Sequence, residues 1–278
     1  MRFAILDVFT DRALAGNQLA VFEDGPEVPA HLLQPLAREI NFSETVYVYP
    51  PADPANTARI RIFVPTNEIP FAGHPVLGTA VLLAARWDLS EVRLETGRGV
   101  VPVRVDGGHG TMEQPVPGVE PYPEPERLLA ALGLERSLLP VDVYDNGMPH
   151  VYVMAESPAE VARLRPDATA LTDLSPEGGL GFNCFAGAGT EFTTRMFAPA
   201  DGIPEDPATG SAAGPLACHL ARHGVVPWGA EITIAQGVEM GRPSVLLARA
   251  EGDGDRIRAV QVGGDAVLVG DGRFSLPD

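Results

Sequence analysis

Short runs of alternating or β-branched apolar residues recur along the chain. They predict strands over Phe3 to Phe9, Ala20 to Phe22, Thr45 to Tyr49, Arg59 to Val64 and Val100 to Val105. A second series follows at Val151 to Met154, Glu191 to Phe197, Glu231 to Ile234 and Ser244 to Arg249. Two segments read differently: Pro75 to Ala85 and Ser211 to Arg222 are apolar on nearly every side, and a helix of that kind must be buried all round. Pro29 to Glu39 and Glu124 to Leu132 carry apolar residues on one face only and predict outer helices. At the N-terminus, Arg2 and the apolar residues after it resemble the start of a signal peptide, but Asp7 and Asp11 interrupt the run, which reads better as a first strand.

The two series look like one pattern written twice. Arg61-Ile62-Phe63-Val64-Pro65 matches Arg195-Met196-Phe197-Ala198-Pro199 at an offset of 195 − 61 = 134, and Ile69-Pro70 meets Ile203-Pro204 at the same offset. Gly78-Thr79-Ala80 then faces Gly210-Ser211-Ala212 two residues out of step, and both segments run into Ala/Leu-rich stretches. Such self-similarity signals internal duplication. Between the copies, Gln114 to Pro125 holds five prolines and suits neither a helix interior nor a central strand. The expected organisation is therefore α+β, with halves 1–120 and 121–278, each a mostly antiparallel barrel-like sheet around a central helix near 75–86 or 211–223, and an active site in the cleft between them.

Composition narrows the function. The chain has 278 residues, 20 basic and 37 acidic, for a formal charge of −17. That field repels nucleic acid and anionic membrane surfaces, leaving a small molecule as the expected ligand. Every basic residue is an arginine, so internal Schiff-base chemistry and a P-loop lysine are both excluded. Two cysteines, Cys184 and Cys218, are too few for a disulfide scaffold or a four-thiolate zinc site, and a reducing cytoplasm is the expected setting.

The candidate chemistry gathers where the two buried helices begin. A helix start leaves unpaired N–H groups and partial positive charge, which suit a carboxylate. His74 lies at the first start and the run Glu205 to Ser211 at the second. Asp206, Thr209 or Ser211 could each be a plain cap, and His74 could be a packed loop residue. Glu44, ahead of an apolar strand, is either a solvated strand-end carboxylate or a group near the core whose pKa rises by desolvation, as a general base requires. His219 and His223 have helical metal-pair spacing but lack the glutamate of that motif, and they read as helix-end residues. No metal site is expected, and Cys184 and Cys218 read as buried and structural.

Gly16-Asn17, Ser43-Glu44-Thr45, Pro70-Phe71-Ala72-Gly73-His74-Pro75 and Asp206-Pro207-Ala208-Thr209-Gly210-Ser211-Ala212 together resemble the PhzF phenazine-biosynthesis isomerases. The resemblance spans essentially the whole chain and extends to Asn183 to Gly189, Leu220 to Gly224 and Gln236 to Ser244. It implies a diaminopimelate-epimerase-like fold and a cofactor-free homodimer. The implied reaction turns trans-2,3-dihydro-3-hydroxyanthranilate into an amino-ketone by a proton shift from C3 to C1. In the implied site Glu44 is the acid/base, His74 and Asp206 hold and polarise the substrate, and Gly73, Gly210 and Ser211 bind its carboxylate. Gln18 stands where the family commonly has proline. An isomerase or epimerase of another carboxylated metabolite, or a silent small-acid binding protein of the same fold, are the competing readings.

Overall fold

The structure is a computed structural model and describes residues 1–275. The chain divides into two compact units, Met1–Glu113 together with the chain from Gly263 onward, and Gln114–Val262.

The first unit is a closed barrel around one helix. Its elements are β1 (Arg2–Val8), β2 (Asn17–Phe22), α1 (Leu33–Ile40), β3 (Glu44–Tyr49), β4 (Ala58–Phe63), β5 (Glu68–Ile69), α2 (Gly73–Trp87), β6 (Glu91–Thr96), β7 (Gly99–Asp106) and β8 (His109–Gln114). From β1 the successive pairings are antiparallel to β2, parallel to β3, antiparallel to β4, parallel to β6, antiparallel to β7 and antiparallel to β8. Inside lies α2, whose residues from Gly73 to Ala84 are all buried. Close approach explains a glycine in its middle, because a Cβ on Gly78 would stand 2.6 Å from Val8 and 2.7 Å from Leu19. Both α1 and α2 end on a left-handed residue, Asn41 and Asp88, each at φ 55°.

The second unit has β9 (Gly118–Pro121), α3 (Pro125–Leu132), β10 (Asp142–Asp145), β11 (Pro149–Met154), α4 (Pro158–Arg163), α5 (Ala168–Asp173), β12 (Gly181–Ala188), β13 (Glu191–Ala198), β14 (Ile203–Asp206), α6 (Gly210–Arg222), β15 (Glu231–Gln236) and β16 (Ser244–Asp253). From β10 the pairings run antiparallel to β11, parallel to β12, antiparallel to β13, parallel to β15 and antiparallel to β16. This is the order of β1 to β7, so the duplication seen in sequence is repeated in hydrogen bonding. Buried residues run from Gly210 to Ala221 in α6.

The sheets are mostly antiparallel, as expected; each parallel neighbour requires a crossover, and each crossover carries a helix: α1, α2, the α4–α5 pair and α6. Two details depart from expectation. The proline-rich stretch is not wholly irregular, as β9 pairs with β10 and Pro125 takes the first turn of α3, where its missing N–H costs nothing. Finally, the end of the chain belongs to the first unit and not to the second half. The last strand, β17 (Arg256–Arg273), pairs with β8 and runs antiparallel to β1, with Arg2 opposite Arg273 and Val8 opposite Ala266. No helix among the described residues is long and apolar enough to cross a membrane.

Candidate active site

Glu44 opens β3, where the parallel register with β2 sets it opposite Leu19. Only 9% of the residue is exposed, so the solvated strand-end reading is wrong. His74 sits in the first turn of α2, also buried, with Nε2 3.5 Å from Oε2 of Glu44 and Nδ1 3.3 Å from the side-chain nitrogen of Asn17. Burial pushes the imidazole pKa down to about 3, against a backbone hydrogen bond with Gln18 that favours the charged ring. The ring is therefore neutral near pH 7, a polarising group and not a cation. Its Nε2 makes no hydrogen bond among the described residues.

Neither helix start is closed by a capping side chain. In α2 the cap position is Ala72, and the bond from Val76 N to the Ala72 carbonyl is 3.4 Å. The N–H groups of Gly73 and His74 precede that bond, and Pro75 has none to offer. In α6 the corresponding bond runs from Ala213 N to the Thr209 carbonyl at 3.2 Å, and Ala212 N also reaches that carbonyl at 3.0 Å, so Gly210 and Ser211 precede both.

In the second unit Asp206 ends β14 and is buried. It is not the cap of α6, because Thr209 occupies that position. Thr209 does not cap with its side chain either: its hydroxyl donates to Oδ2 of Asp206 at 2.5 Å and accepts from Gln236 Nε2 at 2.9 Å. Gln236 also donates to the Asp206 carbonyl at 2.8 Å and accepts from Thr209 N at 3.0 Å. Ser211 Oγ lies 3.0 Å from His150 Nε2, within hydrogen-bond distance. Gln114 donates to the Gly210 carbonyl at 2.8 Å and Tyr152 to the Ala212 carbonyl at 2.7 Å. The first turn of α6 is thus held by side chains, while its leading N–H groups carry no cap.

Gln114, His150, Tyr152 and Gln236 did not stand out in the sequence as site residues. Two of them were within reach of a period-two reading. Gln236 falls on the face of Ile232 and Ile234 in β15, and Gln114 on the face of Gly110 and Met112 in β8, so both are polar residues at inward positions. His150 lies on a strand buried on both faces and gives no such signal.

Other candidates lie elsewhere. His219 is enclosed by Tyr144, Tyr152 and Phe185, and His223 follows the last residue of α6, as expected of helix-end residues. The structure adds Asp142, whose Oδ2 is 3.0 Å from His223, so that three possible ligand atoms lie within 4.8 Å of one another. Arg222 stands 3.7 Å from the same oxygen and already supplies positive charge. Cys184 and Cys218 are buried, and burial pushes both thiols up to about 12, far from a reactive thiolate.

This arrangement meets a known family. The model described as "Phenazine biosynthesis-like protein" matches residues 6–272. The chain belongs to the PhzC-PhzF family. A trans-2,3-dihydro-3-hydroxyanthranilate isomerase of Pseudomonas aeruginosa is 49% identical over 280 residues, covering 99% of each chain. One of the same name from Pseudomonas chlororaphis is 45% identical over 279 residues, again covering 99% of each. Among solved structures, a PhzF-family phenazine biosynthesis protein of Bacillus anthracis superposes with a TM-score of 0.86 over 99% of each chain, at 22% identity, which speaks for the fold. Within the PhzC-PhzF frame, Glu44 and His74 come together in the first unit, while Asp206, Gly210 and Ser211 share one helix start in the second.

Proposed function

We propose that this protein is a trans-2,3-dihydro-3-hydroxyanthranilate isomerase that works by proton transfer through Glu44. The observation that carries this reading is the buried Glu44 carboxylate 3.5 Å from a neutral His74 at an uncapped helix start. Full-length relatives bearing that name support the substrate.

Removal of the C3 proton by Glu44 leaves an electron pair that spreads through the ring diene toward the carboxyl-bearing end. His74 stabilises that charge by hydrogen bonding, and the N–H groups of Gly73, Gly210 and Ser211 hold the carboxylate. Glu44 returns the proton at C1, which leaves an enol at C3 whose tautomer is the amino-ketone. Asp206, oriented by Thr209, accepts from the ring amine or hydroxyl. The reaction changes no oxidation state of the substrate and calls for no cofactor. A cytoplasmic homodimer is part of the same proposal.

Incubation with trans-2,3-dihydro-3-hydroxyanthranilate tests it. Absorbance should report loss of the diene, and mass spectrometry should find condensed tricyclic product. Turnover should survive exhaustive chelation without added nucleotide, flavin or pyridoxal phosphate. A folded protein inert toward this compound would redirect the reading to another carboxylated ring.

A further inference from the structure

Behind Ser211 lies a buried pair that the mechanism above does not use, His150 on β11 and Asn183 on β12. Asn183 Nδ2 is 3.3 Å from the Val151 carbonyl, 3.4 Å from the Gly181 carbonyl and 3.4 Å from His150 Nδ1. Two of those neighbours are carbonyl oxygens, which only accept, so the atom facing them must be the amide nitrogen and not its oxygen. An N–H donor therefore confronts Nδ1, and Nδ1 must accept. A neutral imidazole with Nδ1 accepting carries its proton on Nε2, and Nε2 lies 3.0 Å from Ser211 Oγ. Ser211 is thereby an acceptor from His150, and its own hydroxyl proton is left to donate elsewhere.

Packing fixes the ring in this pose. A Cβ at Gly181 would stand 2.5 Å from His150 Nδ1, so only glycine lets β12 pass so close. Burial lowers the imidazole pKa to about 3, which keeps the ring in its neutral form. A charged ring would donate from both nitrogens and would clash with the Asn183 amide.

We infer that His150 is a positioning residue that sets the Ser211 hydroxyl as a donor to the substrate carboxylate. The inference rests on the proposed role of Ser211 in carboxylate binding. The relay is directional: Asn183 sets the tautomer, the tautomer sets the serine proton, and the proton meets the anion. An anion is recognised by a donor, whereas a serine free to turn would present its lone pairs for part of the time.

Two measurements test it. In protein labelled with ¹⁵N-histidine, the His150 signal, assigned by its absence in His150→Gln, should report the Nε2–H tautomer and stay unchanged from pH 8 to pH 5. A Nδ1–H tautomer would overturn the relay, whatever the kinetics of the variants. In kinetics, His150→Leu should raise KM about 10-fold with kcat changed less than about 3-fold. His150→Gln, whose amide can still donate, should recover most of that loss. Ser211→Ala should raise KM by a similar factor, and adding His150→Leu to it should do no further harm. Should Ser211→Ala raise KM while His150→Leu does not, the relay fails and the carboxylate site stands. Should Ser211→Ala itself leave KM unchanged, the hydroxyl takes no part in holding the carboxylate and the relay fails, while the backbone N–H groups at the helix start remain as the carboxylate site.

Discussion

Asn146 donates from Nδ2 to the carbonyl oxygen of Ser211 at 2.9 Å. In an unbroken helix that carbonyl would accept from the residue four positions on, but that residue is Pro215, which has no N–H. Asn146 therefore replaces a helix bond with a side-chain bond, on a residue of the proposed carboxylate site. Asn146→Ala should destabilise the protein by about 1–3 kcal/mol, the range for a buried acceptor left without a donor. Pro215→Ala in that background should recover part of the loss by restoring the backbone N–H. Urea denaturation of the two single variants and the double gives the coupling, and strict additivity would show that the two positions do not compensate each other.

Glu44→Gln keeps size and hydrogen bonding but cannot take a proton. Turnover should fall about 10²- to 10⁴-fold, roughly 3 to 5 kcal/mol of barrier, with little change in affinity for a non-reactive carboxylated ring. Steady-state kinetics and calorimetric titration separate the two effects. Near-normal turnover would remove Glu44 from the mechanism.

The three buried histidines, His74, His150 and His219, have pKa values pushed down to about 3 by burial, below an unfolded value of 6.5. Between pH 6.5 and 3 the unfolded chain binds protons at these rings that the folded protein does not. Stability from them is complete above pH 6.5 and is lost as pH falls through that window, with a slope approaching 1.4 kcal/mol per pH unit for each ring, to order of magnitude. Denaturation midpoints measured at pH 7.5, 6.5, 5.5 and 4.5 should decline accordingly. His219→Phe should flatten the slope by about one proton. A midpoint constant from pH 6.5 to 4.5 contradicts the assignment.

Gly78→Ala separates packing from helix propensity. In an exposed helix the change stabilises by about 1 kcal/mol. Here the new methyl would meet Val8 at 2.6 Å and Leu19 at 2.7 Å, both on strands of the barrel wall. The expected result is a loss of about 1–3 kcal/mol, and a gain in melting temperature would mean that the barrel yields more easily than its packing implies.

Much of this was visible in the chain. The two core helices were marked by apolar residues on every side, and they run over Gly73–Trp87 and Gly210–Arg222, the first two residues longer at each end than the pattern predicts and the second one residue longer at its start. The duplicated Arg-x-Phe-x-Pro signal fell on β4 and β13, which hold equivalent places in the two pairing orders. What escaped was short or long-range. Ser157 caps α4 by accepting from Glu160 N at 3.2 Å, while the Glu160 carboxylate accepts from Glu156 N at 2.7 Å. That local signature is legible in Ser157-Pro158-Ala159-Glu160, but it marks a helix too brief for apolar periodicity. Asn146, His150 and Gln236 act on α6 from residues far away in sequence, and spacing cannot reveal such partners. Glu44 and His74 were singled out as candidates, but their proximity follows from the register of β2 and β3 around α2, a property of the barrel.

The pairing of β1 with β17 has a consequence for the order of events during synthesis. Residues Gln114–Val262 form one continuous stretch, so the second unit can close as soon as it leaves the ribosome. The first unit emerges earlier yet lacks a wall until the chain from Gly263 onward has been made, some 150 residues after β8 at roughly 5–20 residues per second. For that interval, roughly 7 to 30 seconds, the nascent barrel around Glu44 and His74 is open along one seam, with the edges of β1 and β8 both unpaired. The barrel that carries the proton-transfer pair is the last to close, when the final strand is delivered.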